Sequence, residues 1–88
     1  TIEERIGILS PLLKKLDENK TKIANLISED MGKPISLSEA EVSRTIQSLK
    51  LFFEESPNWL AHERRDPGTI VYEPLGLAFA ITPWNFPL

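Results

Sequence analysis

Apolar residues recur at three- and four-residue intervals through the first 65 positions, and that spacing predicts helices. In TIEERIGILSPLLKKLDEN the positions Ile6, Leu9, Leu12, Leu13 and Leu16 form one buried stripe. Ser10-Pro11 lies inside it. That pair allows a kink in one helix or a fresh start with Ser10 as cap and Pro11 in the first turn, and a single, slightly interrupted element is expected. KTKIANLISEDMGKP repeats the pattern through Ile23, Leu26, Ile27 and Met31, then meets Gly32 where a left-handed cap is wanted and Pro34 just beyond. A helix end near Met31 follows. Ser36 with Glu39 has the form of a capping box, after which Val42, Ile46, Leu49 and Phe53 share one face of a third helix that Pro57 should end or bend.

The pattern changes after HERR. Asp66-Pro67-Gly68 suits the central positions of a type II turn, TIVYEP alternates like a half-exposed strand, and LGLAFAI is apolar on both faces, like a strand buried between helices. Pro83 should close that strand near Ile81 or Thr82. The expected organisation is helix over 1–65, strands over 69–82 and a loop over 83–88: an α/β arrangement whose 88 residues are themselves mostly α.

Length and composition then narrow the class. A chain of 88 residues buries only about 60% of its unfolded surface, so an independent core would be marginal and a piece of a larger protein is expected. With 41% hydrophobic and 26% charged residues the composition is that of a soluble globular chain, and no apolar run approaches membrane-spanning length. A net charge of −3, with no concentrated basic surface around Arg64-Arg65, argues against a general nucleic-acid binder. There is no cysteine, which removes disulfides and thiolate metal sites and fits a cytoplasmic location. His62 has no companion at metal-ligand spacing, so no metal site is expected and His62 is assigned no chemistry.

The best candidate site is ITPWNFPL, residues 81–88. Open α/β sheets place ligands beyond the carboxyl ends of their strands, and the asparagine amide offers two donors to a developing oxyanion while adding no charge. Pro83, Trp84 and Pro87 restrict Asn85. Asparagine is also among the best helix N-caps, and Pro87 is compatible with a following first turn. Chemistry alone leaves these two readings level.

The string YEPLGLAFAITPWNFPL, residues 72–88, closely resembles the N-terminal signature of the NAD(P)-dependent aldehyde dehydrogenase family, with PWNFP its most specific part. ISEDMGKPISLSEAEV, residues 27–42, looks like the same family's segment ahead of its long third helix. MGKPI and YEPLG are most similar to the succinate-semialdehyde dehydrogenase branch. The resemblance implies a Rossmann-like cofactor domain and oxidation of an aldehyde to an acid through a cysteine thioester, with NAD or NADP as cofactor. Carried onto this chain, it makes Asn85 the oxyanion donor, sets Ile81, Thr82, Pro83 and Trp84 beside the nicotinamide, and puts Phe86 at the aldehyde tunnel. It further implies a small-molecule aldehyde as partner and a homodimer or homotetramer as the assembly. Lacking cysteine, the 88 residues alone are expected to be inactive. The competing reading is a stand-alone helical module whose apolar stripes and PWNFPL end bind a partner protein.

Overall fold

The computed structural model describes all 88 residues, Thr1–Leu88. Three helices, α1 (Ile2–Leu9), α2 (Pro11–Met31) and α3 (Ile35–Trp59), precede a short hairpin of β1 (Glu63–Arg65) and β2 (Gly68–Ile70). The interruption between α1 and α2 follows from proline chemistry. Ser10 keeps helical torsions, but Pro11 has no N–H for the Gly7 carbonyl, which instead accepts from the Ser10 hydroxyl at 3.3 Å. At the other end of α1, Thr1 and Glu4 form a capping box.

α2 runs unbroken to Met31 and stops at Gly32, whose φ of 70° is the left-handed conformation anticipated for it. Only Gly32, Lys33 and Pro34 separate α2 from α3, so α3 must turn back along α2. The two helices meet through Ala24, Ile27 and Val42, flanked by Ile23, Met31 and Ile46. The Ser28 and Ser38 hydroxyls share a 2.8 Å hydrogen bond across the same seam. Small residues at Ala24 and Ser38, both fully buried, let the backbones approach closely.

Several expectations need correction. The Ser36–Glu39 capping box is absent because Pro34 occupies the cap position: its carbonyl accepts from the Leu37 and Ser38 N–H groups, leaving Ser36 inside the first turn. Pro57 does not end α3, which continues to Trp59 and closes with the Leu60 N–H donating to the Ser56 carbonyl. Helix therefore does not reach residue 65. The hairpin turn is not type II, since Arg65 pairs with Gly68 and the loop consists of Asp66 and Pro67 joined by a cis peptide. A cis proline at the second central position is the type VI pattern, and Gly68 has no positive φ.

The largest difference concerns the expected strands over 69–82. Regular pairing ends at Ile70, and residues 71–82 have neither secondary structure nor burial. Leu77 is 99% exposed and Ile81 86%. A strand apolar on both faces needs neighbours to take its N–H and C=O groups and flanking layers to cover its side chains, and no other strand of this chain pairs with it. The described residues form a helical hairpin with a two-stranded appendage; no Rossmann-like sheet is present among them. No helix is long and apolar enough to cross a membrane.

With the apolar tail uncovered, the radius of gyration is 16.9 Å, against about 12 Å for a compact chain of this length. The 88 residues made alone should therefore show helical circular dichroism in the cold but lose it over a broad temperature range. A sharp, cooperative melt of the monomer would contradict this.

Candidate functional site

The chain beyond the hairpin is tied back at two places, once to the hairpin itself and once to the helices. The first is Tyr72, whose hydroxyl donates to Glu63 Oε1 at 2.9 Å while Arg65 Nε donates to Oε2 of the same carboxylate at 3.1 Å. Glu63 and Arg65 lie two positions apart on one strand and so share a face. This contact ties the outgoing chain to the hairpin before the apolar stretch begins.

The second return is at residues 85–88, and it centres on Lys33. Gly32 is left-handed on one side and Pro34 is extended on the other, so the short link between α2 and α3 holds the Lys33 backbone from both directions. Its ammonium pairs with Glu41 of α3, donates to the Asn85 carbonyl at 2.9 Å and lies 4.3 Å from the centre of the Phe86 ring. Glu41 Oε1 in turn accepts from the Leu88 N–H at 3.3 Å. The two charged side chains are only 10% and 6% exposed. Removing one member of such a pair strands the other and typically costs about 3–5 kcal/mol.

Phe86 and Leu88 also close one side of a depression of about 360 Å³ against α3, whose wall carries Arg44, Thr45, Leu49 and Phe52. Trp84 and Asn85 form a turn above it. The Asn85 backbone is anchored, while its carboxamide is exposed and bonded to no protein group. Ile81, Thr82, Pro83 and Trp84 are exposed. Among the six site residues read from the sequence, the structure brings Asn85 and Phe86 to the helices and leaves the other four free. Phe86 faces the Lys33 ammonium and α3. No cluster of side chains suited to a metal is present.

Lys33 and Glu41 are absent from the sequence-based site. A signal existed for Glu41, which sits three residues after Ser38 and four before Thr45, placing polar groups at helical spacing beside the apolar stripe. Lys33 carried only the hint of a long side chain on a three-residue link.

The chain belongs to the aldehyde dehydrogenase family: the model described as "Aldehyde dehydrogenase family" matches residues 1–88. A lactaldehyde dehydrogenase of Methanococcus aeolicus is 40% identical over 92 residues, covering 96% of this chain and 19% of that protein. The succinate semialdehyde dehydrogenase [NAD(P)+] Sad of Escherichia coli K12 is 35% identical over 91 residues, covering 99% of this chain and 20% of its own length. A putative aldehyde dehydrogenase of Staphylococcus aureus USA300 is 31% identical over 88 residues, covering 99% and 18%. The chain thus spans about a fifth of these relatives. No solved structure matches it.

The Glu63 contact makes a pH prediction. Hydrogen bonds from Arg65 and then Tyr72 lower the Glu63 carboxyl below its ordinary range, and the bond to Glu63 raises the Tyr72 hydroxyl above its own. The carboxylate's contribution is present above about pH 4.3 and disappears as pH falls through the lowered value. The tyrosine's is full below about pH 10 and disappears as pH rises through the raised value. Tyr72 is the one tyrosine in the sequence, so its ring-carbon resonance, followed in the cold, should titrate late and move back toward the ordinary value in Glu63→Gln. An unchanged midpoint would show that the contact does not form.

Proposed function

We propose that the chain is the N-terminal part of an NAD(P)-dependent aldehyde dehydrogenase that oxidises a small aliphatic aldehyde, such as succinate semialdehyde or lactaldehyde, to its acid. The observation that carries this reading is the family match over all 88 residues, joined to an asparagine whose backbone is held and whose carboxamide is free. The relatives' names supply the substrate class, and the Escherichia coli relative's name supplies the cofactor. An interaction module would not require that match, and no observation favours it.

Within such an enzyme, Asn85 donates its amide to the oxygen of the tetrahedral species formed when a thiolate adds to the aldehyde carbonyl. The 88 residues contain no cysteine, so the thiolate, and the carboxylate that activates water against the thioester, come from other parts of the enzyme. The nicotinamide supplies a hydride acceptor when bound. Ile81, Pro83 and Trp84 offer it an apolar ledge and Thr82 a single hydroxyl, a set suited to a flat ring and its neighbouring sugar. Phe86 flanks the aldehyde's path. The apolar residues 75–81 pair within the enzyme's larger sheet, which gives their backbone the partners it lacks here. A cytoplasmic homodimer or homotetramer acting on a small-molecule substrate, without nucleic acid or membrane, completes the proposal.

The oxyanion and cap readings of Asn85 separate by experiment in the full-length enzyme. Asn85→Ala should lower kcat about 10²–10³-fold, because the amide meets a charge that is largest in the tetrahedral species. A cap role would instead cost about 0.5–2 kcal/mol of stability with kcat nearly kept. Asn85→Asp, an equally good cap that sets a carboxylate against the oxyanion, should be as slow as Asn85→Ala or slower. Near-normal kcat in Asn85→Asp would refute the oxyanion role.

A further inference from the structure

We propose that Lys33 and Glu41 are positioning residues for the reaction: a buried charge pair that fixes Asn85 through its backbone and leaves its carboxamide free for chemistry. The inference rests on the oxyanion role proposed for Asn85. Its basis is how the two side chains use their bonding capacity.

Lys33 has three donor protons and no acceptor. Its ammonium meets the Glu41 carboxylate and the carbonyl of Asn85, and lies against the face of Phe86. Glu41 spends its second oxygen on the N–H of Leu88. The pair therefore holds the loop at both ends, at positions 85 and 88, by backbone groups rather than by side chains. Positions 85 and 88 are tied in register to α3.

Nothing in the helical hairpin requires these charges. The α2–α3 seam is built from Ala24, Ile27, Val42 and the Ser28–Ser38 bond, and the charged pair lies beside it. Apolar side chains of similar volume would fill the same space at equal or lower free energy. What they could not do is accept from one chosen N–H and donate to one chosen C=O. The structure assigns the pair to that task.

The mounting is rigid as well. Lys33 stands between a left-handed Gly32 and an extended Pro34, and Glu41 stands on the second turn of a 25-residue helix. A displacement of Asn85 by about 1 Å would suffice to lower the rate by about 10²-fold. Because the opposite charges neutralise each other, the pair acts on the oxyanion only through where it puts Asn85.

The test is a double-mutant cycle in the full-length enzyme, comparing Lys33→Met, Asn85→Ala and the double variant, with kcat and KM for the aldehyde at saturating cofactor. Lys33→Met should lower kcat by about 10–100-fold with little change in KM. In the Asn85→Ala background the same change should cost less than about twofold, since residues acting as one unit are non-additive. Lys33→Arg, which keeps the charge and the donors, should recover part of the loss. If Lys33→Met does not fold, Glu41→Gln carries the test, being nearly isosteric and still able to accept from Leu88. It should slow the parent enzyme and leave Asn85→Ala unaffected. Wild-type kcat in Lys33→Met or Glu41→Gln beside a slow Asn85→Ala would overturn the positioning role while sparing the oxyanion role. A Lys33→Met or Glu41→Gln penalty that multiplies in full with Asn85→Ala would overturn it too. Near-normal kcat in Asn85→Ala would overturn both.

Discussion

The placement of residues 85–88 depends on α2 turning back on α3 within three residues. That reversal needs a backbone conformation glycine adopts without strain, at Gly32, and a seam of small side chains at Ala24, Ser28 and Ser38. It sets Lys33 at the bend and Glu41 two turns into α3, close enough to pair. With the pair in place, a loop more than fifty positions further along the chain acquires a fixed address on the helices. Opening the helical hairpin would release the Asn85 segment even though no residue of that segment had changed.

Apolar burial does little of this work. Ala24, Ile27 and Val42 are the whole buried apolar core, while Leu75, Leu77, Phe79 and Ile81 stand in water. Directional contacts hold what the apolar residues of this chain cannot: Glu63 between Arg65 and Tyr72, the serine pair between the helices, and the Lys33–Glu41 clamp. The distribution suits a segment whose apolar strand is completed by a larger sheet. A strand with two apolar faces has its folding free energy invested in neighbours.

The features legible in the sequence were those fixed by residues near in sequence. Met31-Gly32 ended a helix as its glycine required, and Val42, Ile46, Leu49 and Phe53 lined the face their spacing assigned. Local rules failed where two of them competed. Ser36 lost the cap to Pro34, two residues earlier, and Pro67 took the second position of the turn instead of the first, moving Gly68 into the strand. Residues 71–82 read as strand from their apolar pattern but form none, because strand formation is a property of pairs and no other strand of this chain pairs with them. The candidate site divides the same way. Asn85 stood out as a candidate by its own chemistry and its proline frame, level with a helix cap until the family resemblance favoured it, whereas the Lys33–Asn85 and Glu41–Leu88 contacts span 52 and 47 positions and have no local signature.

The account turns on one arrangement: an Asn85 backbone held from behind and an Asn85 amide facing the reacting oxygen. A crystal structure of the full-length enzyme with an aldehyde added covalently to its nucleophile would show it directly. The expected result is Asn85 Nδ2 about 2.7–3.1 Å from the adduct oxygen, with the Lys33 ammonium still on the Asn85 carbonyl. An Asn85 side chain turned to the backbone N–H groups of a following helix, away from the adduct, would contradict it.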